Sequence, residues 1–138
     1  MMKKSMLSML MLGVVSFASV ADVAVIVHPS NANELDGGNI SKIFLGKSKK
    51  FPSGEQAVPV SQQSKNPIRV EFDRKVLNKS SSQVKAHWSK LLFTGKGQPP
   101  REVTTDGEVI ELVASNPNII GFVDASQVDG SVKVVAKF

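Results

Sequence analysis

The hydrophobic period of this chain changes once between residues 57 and 76, and that change dictates a strand followed by a helix. Ala57, Val58 and Val60 form a short extended run, after which Ile68, Phe72 and Val76 recur every four residues. Six polar residues, Ser61 to Asn66, separate the two periods and are followed by Pro67. Asn66 and Pro67 read as N-cap and first helical residue, because the amide oxygen can accept from an open N–H and proline gives up none that the helix needs. A strand that ends in polar residues at a helix N-terminus is a place where an anion can sit, since unpaired N–H groups and the helix dipole both point there. The competing reading is an ordinary strand-to-helix turn.

The rest of the chain repeats this alternation. Asp22 to His28 is apolar on both faces, which predicts a buried, parallel strand. Pro29, Gly37 and Gly38 break the pattern, Asn39 is a candidate N-cap, and Ile40, Ile43 and Phe44 make one face of a short helix that Gly46 stops. Ser80 and Gln83 have capping-box spacing for a helix carrying Val84, Trp88, Leu91 and Leu92 on one face, and that spacing makes Trp88 a core residue rather than a binding platform. Gly95 ends it, and the segment Gly95 to Val103, with two adjacent prolines, reads as a loop. Thr105 and Glu108 open a further helix, and Ile119–Val123 and Val132–Val135 are the last strands. Strands alternating with helices predict an α/β layer sandwich with a mainly parallel sheet. Ligands of such sheets sit beyond the carboxyl ends of the strands, which here are His28–Asn31, Ser61–Asn66 and Asp124–Ser126.

The first 21 residues are a different kind of segment. Lys3 and Lys4 precede an apolar stretch from Ser5 to Ser19, and Ser19, Val20 and Ala21 supply small residues for cleavage, so the expected organisation is a signal peptide over 1–21 and one domain over 22–138. The apolar stretch falls short of the roughly 20 residues of a membrane span, and no second one follows. There is no cysteine, which removes disulfides, thiolate metal sites, a cysteine nucleophile and the lipid-bearing cysteine of a bacterial lipoprotein. The expected location is therefore the periplasm, as a soluble protein held together by its core.

Catalytic motifs are missing. His28 and His87 are the only histidines and neither has a carboxylate at metal-ligand spacing, so no metal or cofactor is predicted. No G-x-S-x-G motif occurs, and Leu45-Gly46-Lys47-Ser48 fails as a phosphate-binding loop because Ser41 stands where its first glycine belongs. The formal charge of +5 falls to +3 without Lys3 and Lys4. The lysines are scattered, apart from an exposed group at Lys42, Lys47, Lys49 and Lys50, so no nucleic-acid partner is predicted.

Ile43-Phe44-Leu45-Gly46-Lys47, the strand and bend after it, Phe72, and Ile120-Gly121-Phe122-Val123 together resemble the phosphate-binding substrate receptors of ABC transporters. The likeness covers nearly all of residues 22–138. It implies a periplasmic-binding-protein-like fold of the second type, about one lobe of it, and an exported non-enzymatic binding protein that works with an ABC permease. Phosphate or another small oxyanion is then expected at the side chains of the bend that can donate, Ser61, Gln62, Ser64, Lys65, Asn66 and Arg69, unless Arg69 is a surface residue of its helix, and chain order adds Ser30 and Asn31 from the end of the first strand. Two departures stand out. Gln62 occupies the place of the family's strand-end arginine, and Lys65-Asn66-Pro67-Ile68 the place of its Gly-Ser-Gly-Thr cradle. A single lobe also leaves an anion wet, so binding is expected to be weak unless a second copy, as a homodimer, or another protein supplies the missing wall. The alternative expectation is an envelope protein-interaction module that kept the fold and lost the ligand.

Overall fold

A computed structural model describes residues 22–138. Five strands, β1 (Val23–Val27), β2 (Val58–Gln62), β3 (Arg101–Val103), β4 (Ile119–Asp124) and β5 (Lys133–Lys137), form one sheet in the order β3-β2-β4-β1-β5. Four helices accompany them: α1 (Gly37–Phe44), α2 (Pro67–Phe72), α3 (Ser81–Phe93) and α4 (Asp106–Ser115). A π-helical turn, Asp73–Leu77, prolongs α2.

β2 pairs in parallel with both β3 and β4, whereas β1 pairs antiparallel with both β4 and β5. Four strands therefore share one direction and β1 runs against them, which corrects the expectation of a parallel first strand. Its sequence could not reveal this. VAVIV is buried on both faces because it lies between two neighbours and under helices on each side, and that environment is the same whichever way the strand points.

The sheet separates two cores. Val23, Val25 and Val27 pack with Ile40, Phe44, Phe72, Val84 and Trp88 on the face covered by α1, α2 and α3. Ala24 and Ile26 pack with Val60, Val109, Val113 and Val123 beneath α4. On the first face the rings of Phe72 and Phe122 stack at 3.9 Å, with Phe44 edge-on to both. On the second, α4 comes so close that a Cβ on Gly121 would lie 2.5 Å from Val109 Cγ1. Glycine is thus required at the middle of β4 by space and not by backbone conformation.

The helix ends follow their sequence signals. Asn66 caps α2 with Pro67 at its first position, Ser80 and Gln83 close a capping box on α3, and Thr105 caps α4. Gly46 and Gly95 take positive φ just past α1 and α3. α1 differs: its cap is Asp36, and Asn39 is the third helical residue whose side chain returns to the Asp36 N–H. β3 lies within the segment read as a loop. At three residues, two of them exposed, it has too little apolar alternation to register.

Candidate functional site

The bend after β2 lies at the edge of the sheet where β2, β3 and β4 end. Asn66 anchors it: Oδ1 accepts from the Ile68 N–H at 3.1 Å, and Nδ2 donates to Gln62 Oε1 at 2.7 Å. The backbone closes a turn from the Asn66 N–H to the Gln63 carbonyl, leaving Gln63, Ser64 and Lys65 exposed at its tip.

Gln62 does not reach solvent. It is fully buried, and its Nε2 donates to Asp106 Oδ1 at 2.5 Å and to the Phe122 carbonyl at 3.1 Å. With Oε1 taken by Asn66, the amide ties β2 to β4, α4 and the start of α2. Its expected role as an anion donor therefore does not fit its placement. A glutamine at a strand end can turn either way, and here three waiting partners draw it inward.

Arg69 is also turned inward. Its Nε donates to both Asp73 oxygens at 3.0 Å, and one terminal nitrogen donates to the Gln62 carbonyl at 2.8 Å and approaches Glu102 at 3.3 Å. Asp73 is 1% exposed, and burial pushes its pKa above the ordinary carboxylate value even though the Arg69 charge draws it back. Glu102, on the rim strand β3, is 47% exposed at its side chain and is the looser of the two partners. The Arg69–Asp73 spacing of four residues along one helix was a readable signal for this pair. Glu102 came from the strand that the sequence did not disclose.

Ser61, Ser64 and Arg69 nonetheless share one cleft of about 440 Å³, which runs between the bend, α2 with its π turn, and α3. Ser61 is buried at its inner end, where its hydroxyl donates to the Gln62 carbonyl. Lys65 and Asn66 stand beside this cleft and do not line it. Ser30 and Asn31 are elsewhere altogether. Because β1 is reversed, pairing Val23 with Asp124 and Val27 with Ile120, its carboxyl end lies at the opposite edge of the sheet. There Ser30 bonds His28 Nδ1 at 2.8 Å, and the Asn31 Oδ1 accepts from Asn33. The expectation that these two join the bend is corrected by strand direction. Asp124 is at the right edge but caps the short turn Ala125–Gln127, accepting from the Ser126 N–H and hydroxyl. Sequence reading missed the α3 side of the cleft, where Ser81, Ser82, Lys85 and Ser89 lie. Their serine spacing along α3 was visible, but nothing in it indicated that α3 faces the bend.

Among the described residues no group of three His, Asp or Glu side chains is placed to hold a metal ion. No described helix is long and apolar enough to cross a membrane.

The chain matches no protein-family model and no curated protein. It does resemble solved structures. An ABC-type phosphate transport receptor from Vibrio cholerae superposes with a TM-score of 0.65 at 18% identity, over 85% of this chain and 47% of the receptor. A putative phosphate ABC transporter substrate-binding protein from Clostridium perfringens, with bound phosphate, gives 0.63 at 22% identity over 84% and 45%. PstS from Borrelia burgdorferi gives 0.61 at 18% over 84% and 47%. The chain thus has the fold of about half of such a receptor.

Proposed function

We propose that this chain is an exported, non-enzymatic binding protein built on one lobe of the phosphate-receptor fold, and that it holds a small oxyanion weakly at the β2–α2 bend. The observation that carries this reading is the convergence of Ser61, Ser64 and Arg69 on one cleft at the edge where β2, β3 and β4 end. The receptors of like fold are named for phosphate, which makes phosphate the first ligand to test.

Weak affinity follows from the chemistry of the bend. Arg69 already serves two carboxylates and a carbonyl, so an incoming oxyanion must share its charge. Ser64 and Lys65 are exposed, and hydrogen bonds made in water contribute little net free energy. Export rests on the charged, apolar and small-residue sequence of positions 1–21, which lie outside the described residues. On this reading the mature chain begins at Asp22, and an intact mass of protein recovered from the periplasm tests it directly.

Binding is tested by thermal unfolding of residues 22–138 with phosphate, using sulfate and chloride at matched ionic strength. A ligand that binds only the folded state raises the midpoint as its concentration passes Kd. We expect a phosphate-selective rise that shrinks in Ser64→Ala. No selective rise up to tens of millimolar overturns the binding reading.

A further inference from the structure

The cleft is far larger than the ion proposed for it. At about 440 Å³ it could hold roughly fifteen waters at about 30 Å³ each, and it falls within the range of sites for small organic ligands. A lone tetrahedral oxyanion at the bend would leave most of this space filled with water.

Its lining is both polar and apolar. Ser61, Ser64 and Arg69 come from the bend and α2, and α3 contributes Lys85. Lys85 is exposed and forms no ion pair or hydrogen bond among the described residues, so its charge is available. The apolar part of the lining includes Trp88 and Leu92 on α3 and Pro99 and Pro100 after it, with Ser89 between the first two. α3 buries just Val84 and Trp88 and leaves Leu92 52% exposed, so the helix turns apolar surface toward the cleft and the solvent in it. The carboxylates of the cleft do not oppose an anion equally. Asp73 is closed off by Arg69, whereas Glu102 is half-exposed at 3.3 Å from Arg69 and can swing out to water.

We propose that the cleft takes an amphipathic organic anion, with one acidic head between Lys85 and the Ser61–Ser64–Arg69 end and an apolar body against Trp88, Leu92 and the two prolines. This deepens the reading of the bend as an anion site and rests on it. Charge complementarity with Lys85 selects the head, and the apolar wall selects the body. Glu102 stands in for the head when the cleft is empty and competes with it.

The experiment uses phenyl phosphate as the probe, with inorganic phosphate standing for its anionic head and uncharged benzyl alcohol for an aromatic body without that head. Trp88 is the chain's one tryptophan and lines the cleft, so its fluorescence reports occupancy. We expect phenyl phosphate to saturate the signal at a concentration at least tenfold below either half. Lys85→Gln should weaken it about tenfold while the unlinked charge change Lys49→Gln does nothing, and Glu102→Gln should tighten it severalfold. Calorimetric titration confirms the affinities independently of the fluorophore. Equal affinity for phenyl phosphate and inorganic phosphate overturns the inference and leaves the simple oxyanion site standing. Equal binding of phenyl phosphate and benzyl alcohol overturns it as well, since the head would then play no part. If neither phosphate compound binds, the inference and the oxyanion reading fall together.

Discussion

Replacing Gln62 with leucine separates a structural role from a ligand-binding one. A side chain that donated to an anion in solvent would tolerate the change within about 0.5 kcal/mol of stability, as exposed positions generally do. The observed amide is fully buried and engages three partners, and leucine fills nearly the same space while supplying none of them. Asp106 is only partly buried and can turn to water, so that loss is partial, whereas the Phe122 carbonyl loses its side-chain donor. Asn66 Nδ2 keeps only the 3.4 Å contact to the Thr104 carbonyl. At about 1 kcal/mol for each neutral bond and somewhat more for the bond to a carboxylate, the loss comes to about 3 kcal/mol. With about 2.1 cal/mol/K of unfolding entropy per residue, this corresponds to a fall in Tm of about 12 °C for a domain of this size. Urea unfolding at pH 7 measures it, together with Gln62→Glu. The latter retains the shape but sets a second carboxylate against Asp106, so its deficit should shrink as the pH is lowered into the carboxylate range. A leucine variant within 0.5 kcal/mol of the parent would refute the burial argument and return Gln62 to the surface.

Three further outcomes follow from the geometry. Gly121→Ala drives a methyl into Val109 and should cost about 1–3 kcal/mol in chemical denaturation, whereas a neutral result would mean that α4 yields freely. Asn66→Ala removes the cap of α2 and should cost about 1 kcal/mol, and a loss below a few tenths would show the cap to be dispensable. The folded pKa of Asp73 lies above its unfolded value, so the folded state holds this proton more tightly. Stability relative to Asp73→Asn should therefore fall as pH rises above about 3.9 and level off beyond the folded pKa. A gap that moves in favour of the parent over that interval would mean that Arg69 outweighs burial.

Local punctuation was the most legible part of this chain. Asn66 with Pro67, Ser80 with Gln83, and Gly46 each act through atoms within a few residues of one another, so the sequence contains both partners. The direction of β1 depends on which strands lie beside it, and VAVIV presents the same apolar surface either way. That one reversal moved Ser30 and Asn31 from the site to the far edge. At the bend, donor-rich side chains suggested an anion, but Gln62 and Arg69 have internal acceptors 44 and 33 residues away in Asp106 and Glu102. Long-range pairs of that kind leave no periodic trace. The apolar half of the cleft was hidden for a related reason, since Trp88 is buried and still lines a cavity, and a helical stripe does not distinguish the two.

The position of β1 also sets an order of events during synthesis. Its hydrogen-bonding partners begin at Ile119 and Lys133, so VAVIV is synthesised more than ninety residues before either. At about 5–20 residues per second that interval is roughly 5–20 s. Throughout it, a five-residue stretch of pure β-forming sequence has no sheet to enter, and loop closure over most of the chain must precede its pairing. The backbone groups of β1 therefore stay unpaired by the sheet until nearly all of the chain exists, open to a chaperone in the meantime.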